Sequence, residues 1–539
     1  MNINPPKLFT YMCKNGHLKD AQHILEIYPT IDISAENEYA FLWACKNGHL
    51  HIAQWLYQIK PTLNISTDNE WAFRLACHYG RLLVAQWLYQ IKPIINISAQ
   101  NEYAFLWACK NGHLQVAQWL YQVKPTLDIS ATNEFAFRMA CQNGYLEVAQ
   151  WLYEIKPTLD ISSNNEEAFR IVCYAGHLAV AQWLYMSKPT LNISAVNEYA
   201  FIYACKNGHL DVAQWLFSIK PTINILADNE YTFRFACEKG HLQVVQWLYQ
   251  VKPTINISAY NEYAFRNACE KGHLQVAQWL YAIKHTINIS ADNEYAFRGA
   301  CAYGHLLVAQ WLYYIKPTLD ISANNEEAFR WACAYGHLKV AQWLYQIKPT
   351  LDISAEDEEA FQWACYDGHL EVAQWLYHIK PTLDISAEDE YAFRTACQYG
   401  HLEVAQWLFS IKPTINISAY NEYAFRMACA NGHLQVAWFI QSLNPNKYII
   451  LNVEFVNNTP YNITYNIIQT LNKSNTILYM EQIENCTICS ETVCDIQTSC
   501  NHTFCESCIQ KWFNINKKTC PNCRTCLNNT IFQPIMITN

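Results

Sequence analysis

The sequence predicts an all-α solenoid of stacked helix pairs, followed by a small domain held together by metal. Three observations carry this reading. A string of the type Asn-Glu-Tyr-Ala-Phe recurs every 32 residues from Asn37 to Asn421. Fourteen of the fifteen glycines fall in one column of that repeat, Gly16 to Gly432, leaving only Gly299. Eight Cys and His residues then crowd between Cys486 and Cys523 in closely spaced pairs.

Self-similarity at a period of 20 to 50 residues marks a solenoid, in which each unit packs only on its neighbours. Phe9 and Cys13 stand one period before Phe41 and Cys45, so an atypical first copy opens the chain and the total is fourteen. Each unit reads as two helices. Ala40, Phe41, Ala44 and Cys45 make a stripe on one face of the first. That helix stops at Gly48, which accepts the left-handed conformation. Ser34 and Asn37 both suit its cap, and the sequence does not choose between them. The second helix runs through His49 to Leu56 and stops before Pro61. The repeat region spans 1–445.

The repeated columns have structural explanations. The Cys45 column, fourteen of the 23 cysteines, is expected to be small buried core thiols. The Trp55 column is expected to pack between units. The His49 column follows the helix-ending glycine and is expected to hydrogen-bond structurally, since Arg81 and Tyr145 replace it in two units. The Asn64-Ile65-Ser66 sequon is a polar loop and not a glycan site, because Asp32, Asp128 and Asp160 share its column.

One face varies informatively. On the first helix, positions aligned with Tyr39, Leu42, Trp43 and Lys46 are expected to point away from the buried stripe. The first is aromatic in most units. The second is arginine in nine: Arg74, Arg138, Arg170, Arg234, Arg266, Arg298, Arg330, Arg394 and Arg426. Aromatic residues and arginine beside a variable position have the composition of a binding surface. Arg234, Arg266 and Arg298 are therefore candidate target-binding residues. Pairing of the arginines with the Glu38-type column of an adjacent unit is the structural alternative.

The repeat decays at Ala437-Trp438-Phe439-Ile440, as expected of a capping unit. Residues 446–485 are an Asn-rich spacer, with a strand expected at Ile449–Val456 and a short helix at Thr476–Ile483. Next come Cys486-x-x-Cys489, Cys500-x-His502, Cys505-x-x-Cys508 and Cys520-x-x-Cys523. Thiolates two residues apart can grip one tetrahedral zinc, and four pairs make two closed sites. A segment this short buries too little to fold alone, so metal supplies much of its folding free energy. Cys494 and Cys526 do not fit the pair spacing and read as free thiols.

Composition excludes other classes. A net charge of -9 argues against a general nucleic-acid binder. No run approaches about 18 apolar residues, so no membrane span is expected. The start, Met1 to Tyr11, lacks a secretory pattern, and an intracellular, cytoplasmic protein is expected.

Two resemblances sharpen the picture. Gly-His-Leu-x-Val-Ala-Gln-Trp-Leu, at Gly112 to Leu120, and the preceding Ala108-Cys109 resemble the ankyrin repeat, over roughly residues 7–445. Tyr-Ala-Phe-Arg replaces the family's Thr-Pro-Leu-His, and the period is one residue short. The order of ligands over 486–524 resembles the RING finger family, leaving 525–539 as a tail. That resemblance implies interleaved sites: Cys486, Cys489, Cys505 and Cys508 on one zinc, Cys500, His502, Cys520 and Cys523 on the other. It also implies recruitment of a ubiquitin-charged conjugating enzyme through Ile488, Trp512 and Pro521. Arg524 matches the position that hydrogen-bonds ubiquitin and the conjugating enzyme, which makes it the candidate catalytic residue. The expected whole is a RING-type ubiquitin-protein ligase whose repeats recruit a protein target. Its rival is a non-enzymatic adaptor. The uniform, Asn- and Ile-rich repeats with an appended finger also resemble the ankyrin-repeat proteins of giant DNA viruses of amoebae, which would place the protein in host cytoplasm.

Overall fold

The computed structural model describes residues 5–456 and 459–467, with short pieces at 496–497, 503–504 and 533–534. Among the described residues, 28 α-helices run in pairs from Pro5 to Leu443. The chain divides into two compact units, Met1–Asp292 and Asn293–Asn539. Within each unit, helix pairs pack on the pairs that precede and follow them in sequence.

The third repeat shows why this sequence makes a pair. Its first helix, Thr67–His78, buries Ala72, Phe73, Ala76 and Cys77. Its second, Leu82–Ile91, buries Val84, Ala85 and Leu88. The apolar stripes of the two helices close on one another and on the neighbouring pair. All fourteen thiols of the Cys45 column are free and buried. Burial raises the Cys13 thiol to about 12 and holds Cys45 well above its ordinary value, so these groups stay protonated and inert. The tryptophan column joins repeats as expected. Trp87 lies 6.2 Å from Phe41 and 6.0 Å, edge-on, from Tyr57, both in the repeat before it. The same contacts recur at Trp119 with Phe73 and Tyr89.

The glycine and histidine columns explain each other. Gly176 has φ +83° and ends the helix Ser163–Ala175 in the left-handed conformation. A Cβ on it would sit 2.4 Å from Nδ1 of His209, one repeat later. That imidazole lies 3.1 Å, through Nε2, from the Tyr174 carbonyl, which also accepts from Asn207 Nδ2 at 2.9 Å. Where histidine is replaced, the role survives. Arg81 Nε donates to the Lys46 carbonyl at 3.2 Å, and the Tyr145 ring packs over Gly112.

The start of the first helix departs from expectation. Neither Ser34 nor Ser66 makes a side-chain capping bond. Instead Asp68, Asn69 and Glu70 form one left-handed turn, φ 51° to 63°, closed by the Glu70 N–H to the Ser66 carbonyl. The turn recurs in most repeats. Left-handed backbone costs roughly 1–2 kcal/mol per residue outside glycine, so something must hold it. The Ser66 hydroxyl donates to Glu70 at 2.5 Å, and Lys92, at the end of the same repeat, reaches both Ser66 and Glu70. In other repeats the glutamate also accepts a backbone N–H from the following loop, as Glu38 does from Asn64 and Glu390 from Asn416.

The last repeat is closed by strands. β1 (Tyr448–Val456) and β2 (Thr459–Ile467) form an antiparallel hairpin against the final helices, Ala419–Ala430 and Leu434–Leu443. The strand expected at Ile449–Val456 is thus present, one residue longer. Tyr448 and Tyr465 lie 4.6 and 5.2 Å from Phe425, standing in for the aromatic residue a further repeat would supply. The Tyr448 hydroxyl donates to Glu422 at 2.5 Å, and Lys447 Nζ lies 2.7 Å from the same carboxylate. Burial, then Glu422, raises the Tyr448 phenol well above its ordinary value. The helix expected at 476–483 lies outside the described residues.

Candidate functional site

Two regions carry functional residues: the outer part of the first helices, and the finger. On the helices, the arginine column does not form an open face. Arg234 is 7% and Arg298 9% exposed, and Arg266 is only slightly more accessible. Column arginines reach back to their own left-handed turns. Arg74 Nε donates to the Asn69 carbonyl at 2.8 Å and Nη2 to that of Asp68 at 2.6 Å. Arg266 makes the same bond to Asn261 at 2.7 Å, and Arg298 to Asn293 at 2.5 Å. These bonds satisfy carbonyls that the left-handed turn leaves without helical partners.

The remaining guanidinium surface turns to the next repeat, and what it meets depends on one residue there. Where the aligned position is Glu, an ion pair forms: Arg138 with Glu167 at 3.4 Å, Arg298 with Glu327, Arg330 with Glu359. Where it is Tyr, the guanidinium lies over the ring. Arg170 is 5.1 Å from Tyr199, Arg234 4.9 Å from Tyr263, and Arg394 5.3 Å from Tyr423. Arg266 pairs with Asp292 at 2.7 Å. The expectation that Arg234, Arg266 and Arg298 stand free for a target is corrected accordingly. Their charge is engaged inside the repeat stack, because only a guanidinium can satisfy the turn carbonyls and the neighbouring acid or ring together.

The accessible part of this face is the aromatic and variable column with the position that follows. Trp43, Trp71, Leu75 and Lys46, with Tyr39 and Leu42, line an open cleft of about 180 Å³ in the second and third repeats. Trp331, Tyr335, Trp363, Tyr366 and Tyr399 form a contiguous aromatic series in the second unit, with Tyr366 donating to the Tyr399 hydroxyl at 2.8 Å. Lysine at the Lys46 position was legible as part of the face. What its ammonium contacts was not, since that depends on the repeat either side.

In the finger the described residues are strands. β3 (Ile496–Gln497) pairs antiparallel with β4 (Thr503–Phe504) on one side and β5 (Gln533–Pro534) on the other. The connection from β3 to β4 contains Cys500 and His502, and β4 stands between His502 and Cys505 in sequence. The donor set, seven thiolates and one imidazole in closely spaced pairs, fits two tetrahedral zinc sites with no water position. The eight ligand residues themselves lie outside the described residues, as do Ile488, Trp512, Pro521 and Arg524. β5 pairs residues expected in the tail with the finger's own sheet.

Comparison with known proteins agrees with this architecture. Residues 137–230, 169–261, 201–293 and 297–389 match the family described as ankyrin repeats (3 copies), and residues 74–120 match ankyrin repeats (many copies). Residues 484–524 match the ring finger domain. The chain is built of ankyrin repeats with a RING finger behind them. Over 45 residues it is 51% identical to the E3 ubiquitin-protein ligase RNFT1 of Xenopus tropicalis, and equally to that of Xenopus laevis. The match covers 8% of this chain and spans about a tenth of the length of these curated relatives, 11% in each case. No helix among the described residues is long and apolar enough to cross a membrane.

Proposed function

We propose that this protein is a RING-type ubiquitin-protein ligase in which the ankyrin repeats hold a protein target and the finger recruits a ubiquitin-charged conjugating enzyme. The observation that supports it most is the finger match over 484–524, together with 51% identity to two ligases in a short segment. Two zinc ions would be held by Cys486, Cys489, Cys505 and Cys508, and by Cys500, His502, Cys520 and Cys523. They fix the fold of a segment too small to bury a core. The chemistry needs no nucleophile from this chain. Ile488, Trp512 and Pro521 offer an apolar contact to the conjugating enzyme. Arg524, directly after the last ligand, would donate hydrogen bonds that hold the thioester in a reactive pose, which is orientation catalysis. The inert, buried thiols of the repeats take no part.

The test uses the full chain with activating enzyme, a panel of conjugating enzymes, ubiquitin and ATP. Discharge of ubiquitin to free lysine is expected to accelerate. Ile488→Ala is expected to weaken recruitment, and Arg524→Ala to slow discharge while recruitment stays near normal. A folded, zinc-loaded protein that accelerates discharge with no enzyme of the panel would overturn the ligase reading and leave the adaptor.

A further inference from the structure

The column aligned with Lys46 changes character along the chain. In the first four repeats it is Lys14, Lys46, His78 and Lys110; later one more lysine, Lys206, stands alone in the column, which otherwise carries Glu238, Glu270, Tyr366 and uncharged residues. The two glutamates have cations beside them, Lys239 at 3.4 Å and Lys271 at 2.7 Å. Lys14, Lys46 and Lys110 pair with no carboxylate among the described residues. They lie on rings instead. Lys14 and Lys46 sit 4.1 and 3.8 Å from the Trp43 ring, and Lys110 sits 3.7 Å from that of Trp107. These three cations therefore stand close together in sequence repeats with no carboxylate paired to them. Burial is the first cause lowering the proton affinity of the His78 imidazole beside them, and Lys110, His113 and Lys46 push the same way. Directly beside Lys46 opens the cleft of about 180 Å³, lined by Tyr39, Leu42, Trp43, Trp71 and Leu75.

We propose that the first four repeats dock an acidic, extended segment of a protein target, with one apolar side chain of that segment seated in the cleft between Tyr39, Trp43 and Trp71. The proposal rests on the ligase reading and names the chemistry of its target. Charge complementarity selects the partner: carboxylates would supply what the three lysines lack. The cleft's size suits a leucine or phenylalanine side chain, and burying one there gives the small central anchor that dominates binding energy. A nucleic acid fits less well. A base needs a free ring face to stack on, whereas Trp107 already carries Lys110 and a His78 ring stacked at 5.0 Å, and Trp43 carries two lysines.

The experiment measures fluorescence anisotropy of a labelled polyglutamate peptide with one central leucine against the full-length, zinc-loaded chain. Saturable binding is expected, weakening as salt rises. Replacing the peptide's leucine with alanine is expected to weaken binding about tenfold, the usual worth of a filled apolar pocket. Lys46→Glu with Lys110→Glu is expected to weaken it at least roughly tenfold, since like charges then face the peptide. Lys339→Glu, exposed on a second helix of the other unit, is expected to change nothing. If the glutamate pair lowers helicity, Lys46→Gln with Lys110→Gln removes the charges while keeping long side chains over the rings. Peptide binding indifferent to both pairs or to the leucine, or tighter binding of oligouridylate than of the peptide, would overturn the proposal. Discharge of ubiquitin to free lysine, measured on the same variants, reads the finger alone. Lost docking with intact discharge is the expected pattern for the variants. Absent discharge in the parent protein strikes the ligase reading, not the groove.

Discussion

Gly176→Ala tests the interlock between repeats most directly. The residue has φ +83°, and an alanine held there costs about 1–2 kcal/mol in backbone strain. The new Cβ would stand 2.4 Å from His209 Nδ1 and 2.5 Å from Cε1, so the ring must leave. Its contact with the Tyr174 carbonyl, 3.1 Å in the native protein, goes with it and is worth about 1 kcal/mol. The sum is a loss of roughly 2–3 kcal/mol. In a solenoid that loss is felt locally, so native-state hydrogen exchange is the assay. Amides of the helices Ser163–Ala175 and Ala195–Lys206 are expected to exchange roughly 30- to 150-fold faster, with distant repeats unchanged. His209→Ala alone should cost about 1 kcal/mol. The double variant should cost less than the sum, because removing the ring removes the clash. Gly176→Ala within about 0.5 kcal/mol of the parent, or strictly additive costs, would refute the interlock.

Acid should weaken the repeats in a defined window. Burial is the first cause lowering proton affinity at His49, His78, His113, His241, His273, His337, His401 and His433. Unfolded imidazoles therefore bind protons before folded ones. Stability is level above the ordinary histidine value of 6.5 and falls as pH drops below it; urea midpoints at descending pH check this, and a flat profile from pH 7.5 to 5 would contradict it. The Asp32 carboxyl, lowered by the Ser34 N–H and then Lys60, acts only near and below its ordinary 3.8. A double-mutant cycle on Arg298 and Glu327 should give coupling of roughly 1–2 kcal/mol in urea unfolding, and a value near zero would remove the arginine column from the interlock. Metal analysis should find two zinc ions per chain, and chelation should leave the helical signal of the repeats nearly intact; one ion or none in reconstituted protein would sink the two-site reading of the finger.

What the sequence by itself determined follows from local chemistry repeated fourteen times. A period of 32, a glycine at each first-helix end and a stripe of Ala, Phe and Cys specify a helix pair and its buried face, since these depend on neighbours a few residues away. The structural role of the histidine column was legible for a related reason: Arg81 and Tyr145 could stand in its place. In the finger, ligand order alone carried the match to a known family. Tertiary structure decided three other matters. The column arginines read as a binding face because arginine suits both surfaces and interiors. Only the stacking of repeats shows Arg298 closing on Glu327 and Arg234 on Tyr263. The left-handed turn at Asp68–Glu70 contradicts local propensity; Arg74 and Ser66 satisfy it from close in sequence, and Lys92 reaches it from the end of the second helix. The closing hairpin shares no repeat pattern, yet Tyr448 packs on Phe425 and bonds Glu422 of the last repeat, where a following repeat and its loop would otherwise have met them. Contacts between residues 26 to 35 apart are set by how units stack, and a period written along the chain does not say which side chains meet across it.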